Sequence, residues 1–157
     1  MKDNPGKVKK IAANKMCPPG YYKIMMFISS PSKKTHGDFH FYKQHSVVRY
    51  VVKNGDTIAS ISKFFDVPRS RIEKARNGKK LSVGTPLIFK ANVWSHKRGW
   101  GTGALLKDSA GKPIRNPITA NKDYGSLNYN KLCSAFCVKG DGSLKTGRKH
   151  HFKPTTL

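Results

Sequence analysis

Two cysteines and two histidines are the residues of this chain whose types could do chemistry. Cys133 and Cys137 stand four positions apart in the run Cys-Ser-Ala-Phe-Cys-Val, and His40 and His96 each sit in a short aromatic stretch, HFYK and WSHK. A thiolate beside an imidazolium is the arrangement of a cysteine nucleophile, because the imidazolium stabilises the thiolate and the imidazole carries the proton. In that reading Cys133 or Cys137 is paired with His40 or His96. The same two cysteines, with His150 and His151 downstream, have the residue types and spacing of a zinc site. Two features weigh against both. No glycine-rich oxyanion run precedes either cysteine, and a cysteine in an apolar segment is ordinarily a small buried hydrophobe. No catalytic residue, metal or cofactor is therefore expected. With three cysteines in all, any disulfide leaves one thiol over.

The elements that would position these residues are most legible from Arg49 to Lys90. A short β-branched and aromatic run opens the segment and another, Pro86 to Lys90, closes it. Gly55-Asp56-Thr57 predicts a turn running into a helix, with Thr57 or Asp56 capping the first N–H groups. Ile58, Ile61, Phe64 and Phe65 recur at the spacing of one helical face, and Pro68 stops that helix. Ser70 with Glu73 reads as the capping box of a second helix, which Asn77-Gly78 ends. Thr35 to Gln44 and Val93 to Gly99 read as flanking strands. Gly101 to Asn130 reads as turns and extended chain, with turns at Asp108-Ser109-Ala110-Gly111 and Asn116-Pro117.

Tyr50, Val52, Gly55-Asp56-Thr57-Ile58, Ile61, Phe65, Val67, Ile72, Asn77, Leu81, Gly84, Leu87 and Ile88 stand at positions where this segment resembles the LysM family. The resemblance implies a β-α-α-β module. It also implies a shallow groove for N-acetylglucosamine-containing glycans such as chitin or peptidoglycan, lined by Gly55, Asp56, Thr57, Ile58, Asn77, Gly78 and Leu81. Those residues have architectural duties as turn, cap and core, so the resemblance speaks more to shape than to sugar binding.

The flanks carry a second resemblance. HFYK, WSHK, the DSAGKPIRNP stretch, ANKDYGSLNYN and CSAFCV follow one another in an order similar to that of a poorly characterised family found in large DNA viruses and some microbes. Arg98 stands where that family tends to have proline. In this chain the whole Arg49 to Lys90 segment separates the two aromatic motifs, so it reads as a module inserted at the tip of a strand pair, where inserted chain is tolerated.

Charge bounds the partners. The chain has 31 Lys and Arg against 8 Asp and Glu, a formal excess of +23. Such an excess attracts polyanions and repels its own copies. The cations are spread along the chain, whereas a nucleic-acid reader concentrates them on one helix or tail. No apolar run approaches the about 20 residues a transmembrane helix needs. Met1 to Lys15 lacks the apolar core of a secretory signal, so synthesis in a host cytoplasm without secretion is expected.

These observations set the expectation. The fold class is α+β: a LysM β-α-α-β module at 49–90 inserted in a small β-rich, loop-rich host formed by 21–48 and 91–139, with flexible basic arms at 1–20 and 140–157. The leading function is a minor capsid or cement protein of a large DNA virus particle, located in the virion. There the arms would bridge acidic surfaces of other capsid proteins and the LysM segment would act as adaptor. A glycan-binding module and a basic DNA-packaging protein are the alternatives.

Overall fold

The structure is a computed structural model that describes residues 4–32, 36–99 and 102–144. Five strands form one antiparallel sheet: β1 (Val8–Ile11), β2 (Tyr21–Ser29), β3 (Asp38–Val51), β4 (Pro86–His96) and β5 (Lys131–Lys139), in the order β1-β5-β2-β3-β4. Two short helices, α1 (Ile58–Phe65) and α2 (Arg69–Ala75), join β3 to β4.

This architecture overturns the expected LysM β-α-α-β module in a separate host. The chain is mainly a five-stranded sheet with helices of 8 and 7 residues, and the strands assigned to the module are the far ends of β3 and β4. The β3–β4 ladder runs from Tyr42↔His96 to Val51↔Pro86, with a single register shift between His45 and Val47. Motif spacing around Arg49 and Lys90 marks no break in hydrogen bonding, so two strand pairs that read as separate are one long pair.

The local reasons are clear at α1. Thr57 Oγ1 accepts from the Ser60 N–H at 3.0 Å and Ser60 Oγ accepts from the Thr57 N–H at 2.9 Å, so two orphan donors are satisfied reciprocally. The helix ends at Asp66, whose φ of 55° is left-handed, and Pro68 caps the next helix. The capping box expected at Ser70 and Glu73 is not formed: the N-cap is Pro68, two residues earlier, and α2 has no side-chain cap. Asn77 and Gly78, both at positive φ, turn the chain after it.

The core lies in two clusters. Ile61, Phe65 and Ile72 from the helices meet Val48, Tyr50, Leu87 and Phe89 of the sheet. Each such fully buried side chain contributes about 1.5 to 3 kcal/mol. The second cluster gathers Met25, Phe27, Tyr42, Trp94 and Ala135 beneath Ile114 and Tyr129. Ile114 and Tyr129 belong to the long connection from β4 to β5, which is tied down by backbone bonds such as Trp94 N–H to Ile114 O at 2.9 Å. The Lys122 ammonium fastens it further, donating to the carbonyls of Pro117 and Ala120 at 2.7 Å and Ile118 at 3.3 Å.

The expected N-terminal arm is also corrected. Within 1–20, Val8–Ile11 pairs with β5, and Cys17 forms a disulfide with Cys137. A strand that needs its partner for pairing, and a bond that composition does not reveal, hold this segment on the sheet. Of the expected C-terminal arm, 145–157 lies outside the described residues.

Candidate functional site

The residues that could do chemistry are placed apart. Cys137 is in the disulfide, and Cys133 is exposed as a free thiol. β2 stands between β5 and β3, which puts Cys133 and His40 two interstrand spacings apart, about 10 Å. A thiolate–imidazole pair cannot form across that distance. His150 and His151, the downstream partners of a zinc site, lie outside the described residues, and among the described residues no group of three or more His, Cys, Asp or Glu could hold a metal ion.

The two histidines do meet. His40 Nε2 and His96 Nδ1 are 2.7 Å apart in the interior, and His96 Nε2 is 2.9 Å from the Lys107 carbonyl. A carbonyl only accepts, so His96 carries its proton on Nε2 and presents the Nδ1 lone pair to a donating His40 Nε2–H. Both rings pack among Tyr42, Tyr124 and Tyr129. Burial, then the neighbouring His96, holds His40 down at about 4, and burial likewise lowers His96. The Tyr42 and Tyr124 hydroxyls are buried beside each other and influence each other's protonation, yet neither makes a hydrogen bond of good geometry. Three of the four ring nitrogens are hydrogen-bonded, so the histidine pair is part of the core, while the two tyrosine hydroxyls beside it are left without a partner among the described residues.

A half-open cleft of about 560 Å³ borders the cluster at His96 and Tyr124, and its lining includes Tyr50, Phe64 and Leu105 with Lys53 and Arg98. The Arg98 guanidinium sits 4.5 Å from the Tyr124 ring centre. Of the expected sugar groove, Asp56 alone lines this cleft. Asp56 is held in its own turn, accepting from the Tyr50 hydroxyl and the Lys53 N–H at 2.7 Å. Thr57 caps α1, Ile58 begins it and packs with Leu81 against the helical core, and Gly55, Asn77 and Gly78 are turn positions with φ of 81°, 49° and 72°. The architectural duties foreseen for these residues are the ones the structure assigns.

The feature that sequence reading missed is the long-range part of what the carboxylates do. Asp38 accepts from the Phe39 N–H and the Tyr129 hydroxyl, and Asp108 from the N–H groups of Ala110, Lys112 and Asn121. Asp123 accepts from the Gly125 N–H and Asp141 from Ser143. Two ion pairs occur among the described residues, Arg115–Asp66 at 3.9 Å and Lys139–Asp141 at 3.0 Å. Most acids are held by N–H and hydroxyl donors, and among the described residues Arg115 and Lys139 alone pair with a carboxylate.

No family model, curated protein or solved structure matches this chain. Among the described residues no helix is long and apolar enough to cross a membrane.

Proposed function

We propose that this protein is a structural component of a large DNA virus particle, a minor capsid or cement protein that bridges acidic surfaces of neighbouring subunits. The observation that carries the reading is the engagement of most carboxylates by N–H and hydroxyl donors, which leaves an excess of +23 with little internal compensation. A monomer of that charge repels itself, and acidic neighbours relieve the repulsion. Each exposed pair contributes about 0 to 1 kcal/mol, so bridging depends on many pairs acting together. The viral order of the flanking motifs supports the setting. So does the Cys17–Cys137 disulfide, since such bonds persist in oxidising surroundings that include virion surfaces.

The test is stepwise salt extraction of purified particles. The protein should be present in them and should leave early as salt approaches about 1 M, where the screening length falls to about 3 Å. Absence from particles, or retention at molar salt, overturns the reading. Nucleic-acid packaging is the competing use of the same charge; it predicts a steep, sequence-independent salt slope for DNA binding.

A further inference from the structure

The solvent face of the sheet is apolar, and nothing among the described residues covers its centre. Direct partners across strands share a face, and the ladders pair Ile28 with Phe39, Met26 with Phe41 and Ile24 with both Lys43 and Phe136. Alternate residues point the other way, into the core: Met25, Phe27, His40 and Tyr42 are buried. On the outer side Phe39 is 61% exposed and Phe41 46%, while Ile24, Met26, Ile28 and Phe136 are half-buried. Farther along the same side of the sheet, Val47 of β3 and Ile88 of β4 are 51% and 61% exposed. A contiguous apolar patch of this kind marks an interaction site on a folded protein.

The rim has one sign of charge. Lys10 pairs with Phe136, Lys43 with Ile24, Lys90 with Val47, and Arg49 with Ile88. Asp38 is the single carboxylate on the five strands, and it turns to Tyr129 on the core side. With Lys131, which pairs with Ile28, the outer face therefore combines an apolar centre with five flanking cations and no acid.

Three occupants are excluded by what they carry. A second copy would bring its own +23 to a cationic rim. The 145–157 segment of this chain contains Lys145, Arg148, Lys149 and Lys153 and no acid, so it meets like charge. A nucleic-acid strand supplies phosphates but needs flat rings on which bases stack. Here Phe39 and Phe41 meet edge to face, 5.6 Å apart and inclined by 66°, and aliphatic side chains fill the space beside them. Aliphatic and aromatic side chains with methionine are instead the composition of a protein interface core.

Building on the charge-bridging reading, we propose that the outer sheet face around Phe39, Phe41 and Met26 is the docking surface, and that its occupant is another protein's apolar patch bordered by Asp and Glu. The phenylalanines insert into the partner while Lys43, Arg49 and Lys90 meet its acidic border. Apolar contact then supplies the affinity, and charge sets orientation and rate of encounter.

Met25 and Met26 are adjacent residues on opposite faces, so methyl-labelled methionine reports which face is touched. The probe is an amphipathic peptide of about 18 residues, five helical turns, with a leucine face bordered by glutamates, titrated into the full chain and compared with polyglutamate and an oligothymidylate. The expected result is a shift of the Met26 methyl with Met25 unmoved, and affinity for the leucine–glutamate peptide reduced about tenfold or more in Phe39→Ser/Phe41→Ser. Lys79→Glu/Lys80→Glu, off this face, should change it about twofold at most. Circular dichroism and the intact disulfide confirm that the variants fold. Equal binding of polyglutamate with no effect of the phenylalanine changes overturns the docking surface and leaves the charge reading standing. Tighter binding of the oligothymidylate, lost with the phenylalanines, assigns the face to nucleic acid and overturns the protein occupant. Loss of salt release from particles with the Met26 response intact would overturn the virion reading alone.

Discussion

His40 donates its Nε2 proton to His96 Nδ1 across 2.7 Å, joining β3 to the end of β4 inside the aromatic cluster. This arrangement requires a neutral His96, because protonating His96 Nδ1 replaces an acceptor with a second donor, and burial disfavours the charged form of either ring. Burial and the adjacent ring hold His40 at about 4, against an ordinary 6.5, and burial with the Lys43 charge holds His45 at about 4 as well. A depressed histidine takes its proton in the unfolded chain first. Stability is therefore full above about pH 6.5 and falls as the pH drops toward about 4. With solvent screening allowed for, each histidine accounts for about 1 to 2 kcal/mol. Urea midpoints at pH 7.5 and 4.5 measure the loss, and His40→Gln, which keeps an N–H donor, should reduce the pH dependence; an unchanged slope would refute the assignment.

Cys17 and Cys137 close a loop of sequence separation 120, the longest-range covalent tie in the fold. In the chain-entropy account a loop that long stabilises by about 4 to 5 kcal/mol, and native disulfides typically deliver about 2 to 5. Cys17→Ser should lower the denaturation midpoint accordingly and loosen β1, read as faster amide exchange at Val8–Ile11. Cys133→Ser, at the exposed thiol, should leave the midpoint unchanged. The two variants together separate the bond from any general effect of losing a sulfur.

How much of this was legible depends on the range of the interaction. Helix α1 was readable to the residue because its signals are local: Ile58, Ile61, Phe64 and Phe65 at helical spacing and a threonine cap. The turns at Asp108 and Asn116 were legible for the same reason, since an Asp or Asn side chain bonds N–H groups two to four residues on. The disulfide partner of Cys137 and the pairing of Val8–Ile11 with β5 span 120 residues or more and leave no local trace. Module boundaries failed for a related reason. Family-like spacing from Tyr50 to Ile88 is compatible with a free-standing unit and with the tip of one long hairpin, and hydrogen bonding alone distinguishes them. The His40–His96 contact crosses 56 positions, so two histidines singled out as chemistry were read without the bond that makes them structural.

The cap of α1 is reciprocal, so its two members should not contribute equally. Thr57 Oγ1 satisfies the Ser60 N–H, while Ser60 Oγ also donates to the Thr57 carbonyl at 3.0 Å. Thr57→Ala removes the cap at the start of the helix that carries Ile61 and Phe65 into the core, and should cost about 1 kcal/mol. Thr57→Asp keeps a side-chain acceptor and should recover most of it. A thermal shift series of the two variants decides this; equal losses would mean that the threonine matters through packing rather than capping.

Lys122 is the keystone of the β4–β5 connection, and its removal should be the most damaging single change outside the apolar core. Its ammonium is 4.8 Å from the Phe27 ring centre and donates to the Pro117, Ile118 and Ala120 carbonyls, with no acid bonded to it. Burial lowers its pKa, yet three carbonyls and a ring face remain complementary to a cation. Lys122→Met fills the same space but leaves three acceptors without a donor, at a cost of about 3 kcal/mol. The loss should be visible locally: Trp94 shares the cluster with Phe27 and Ile114, so in a Trp100→Phe background its emission should move to the red and its near-ultraviolet dichroism should weaken. Lys122→Met with native Trp94 emission and an unchanged midpoint would show that water replaces the ammonium at those carbonyls and that the connection is held by its apolar contacts alone.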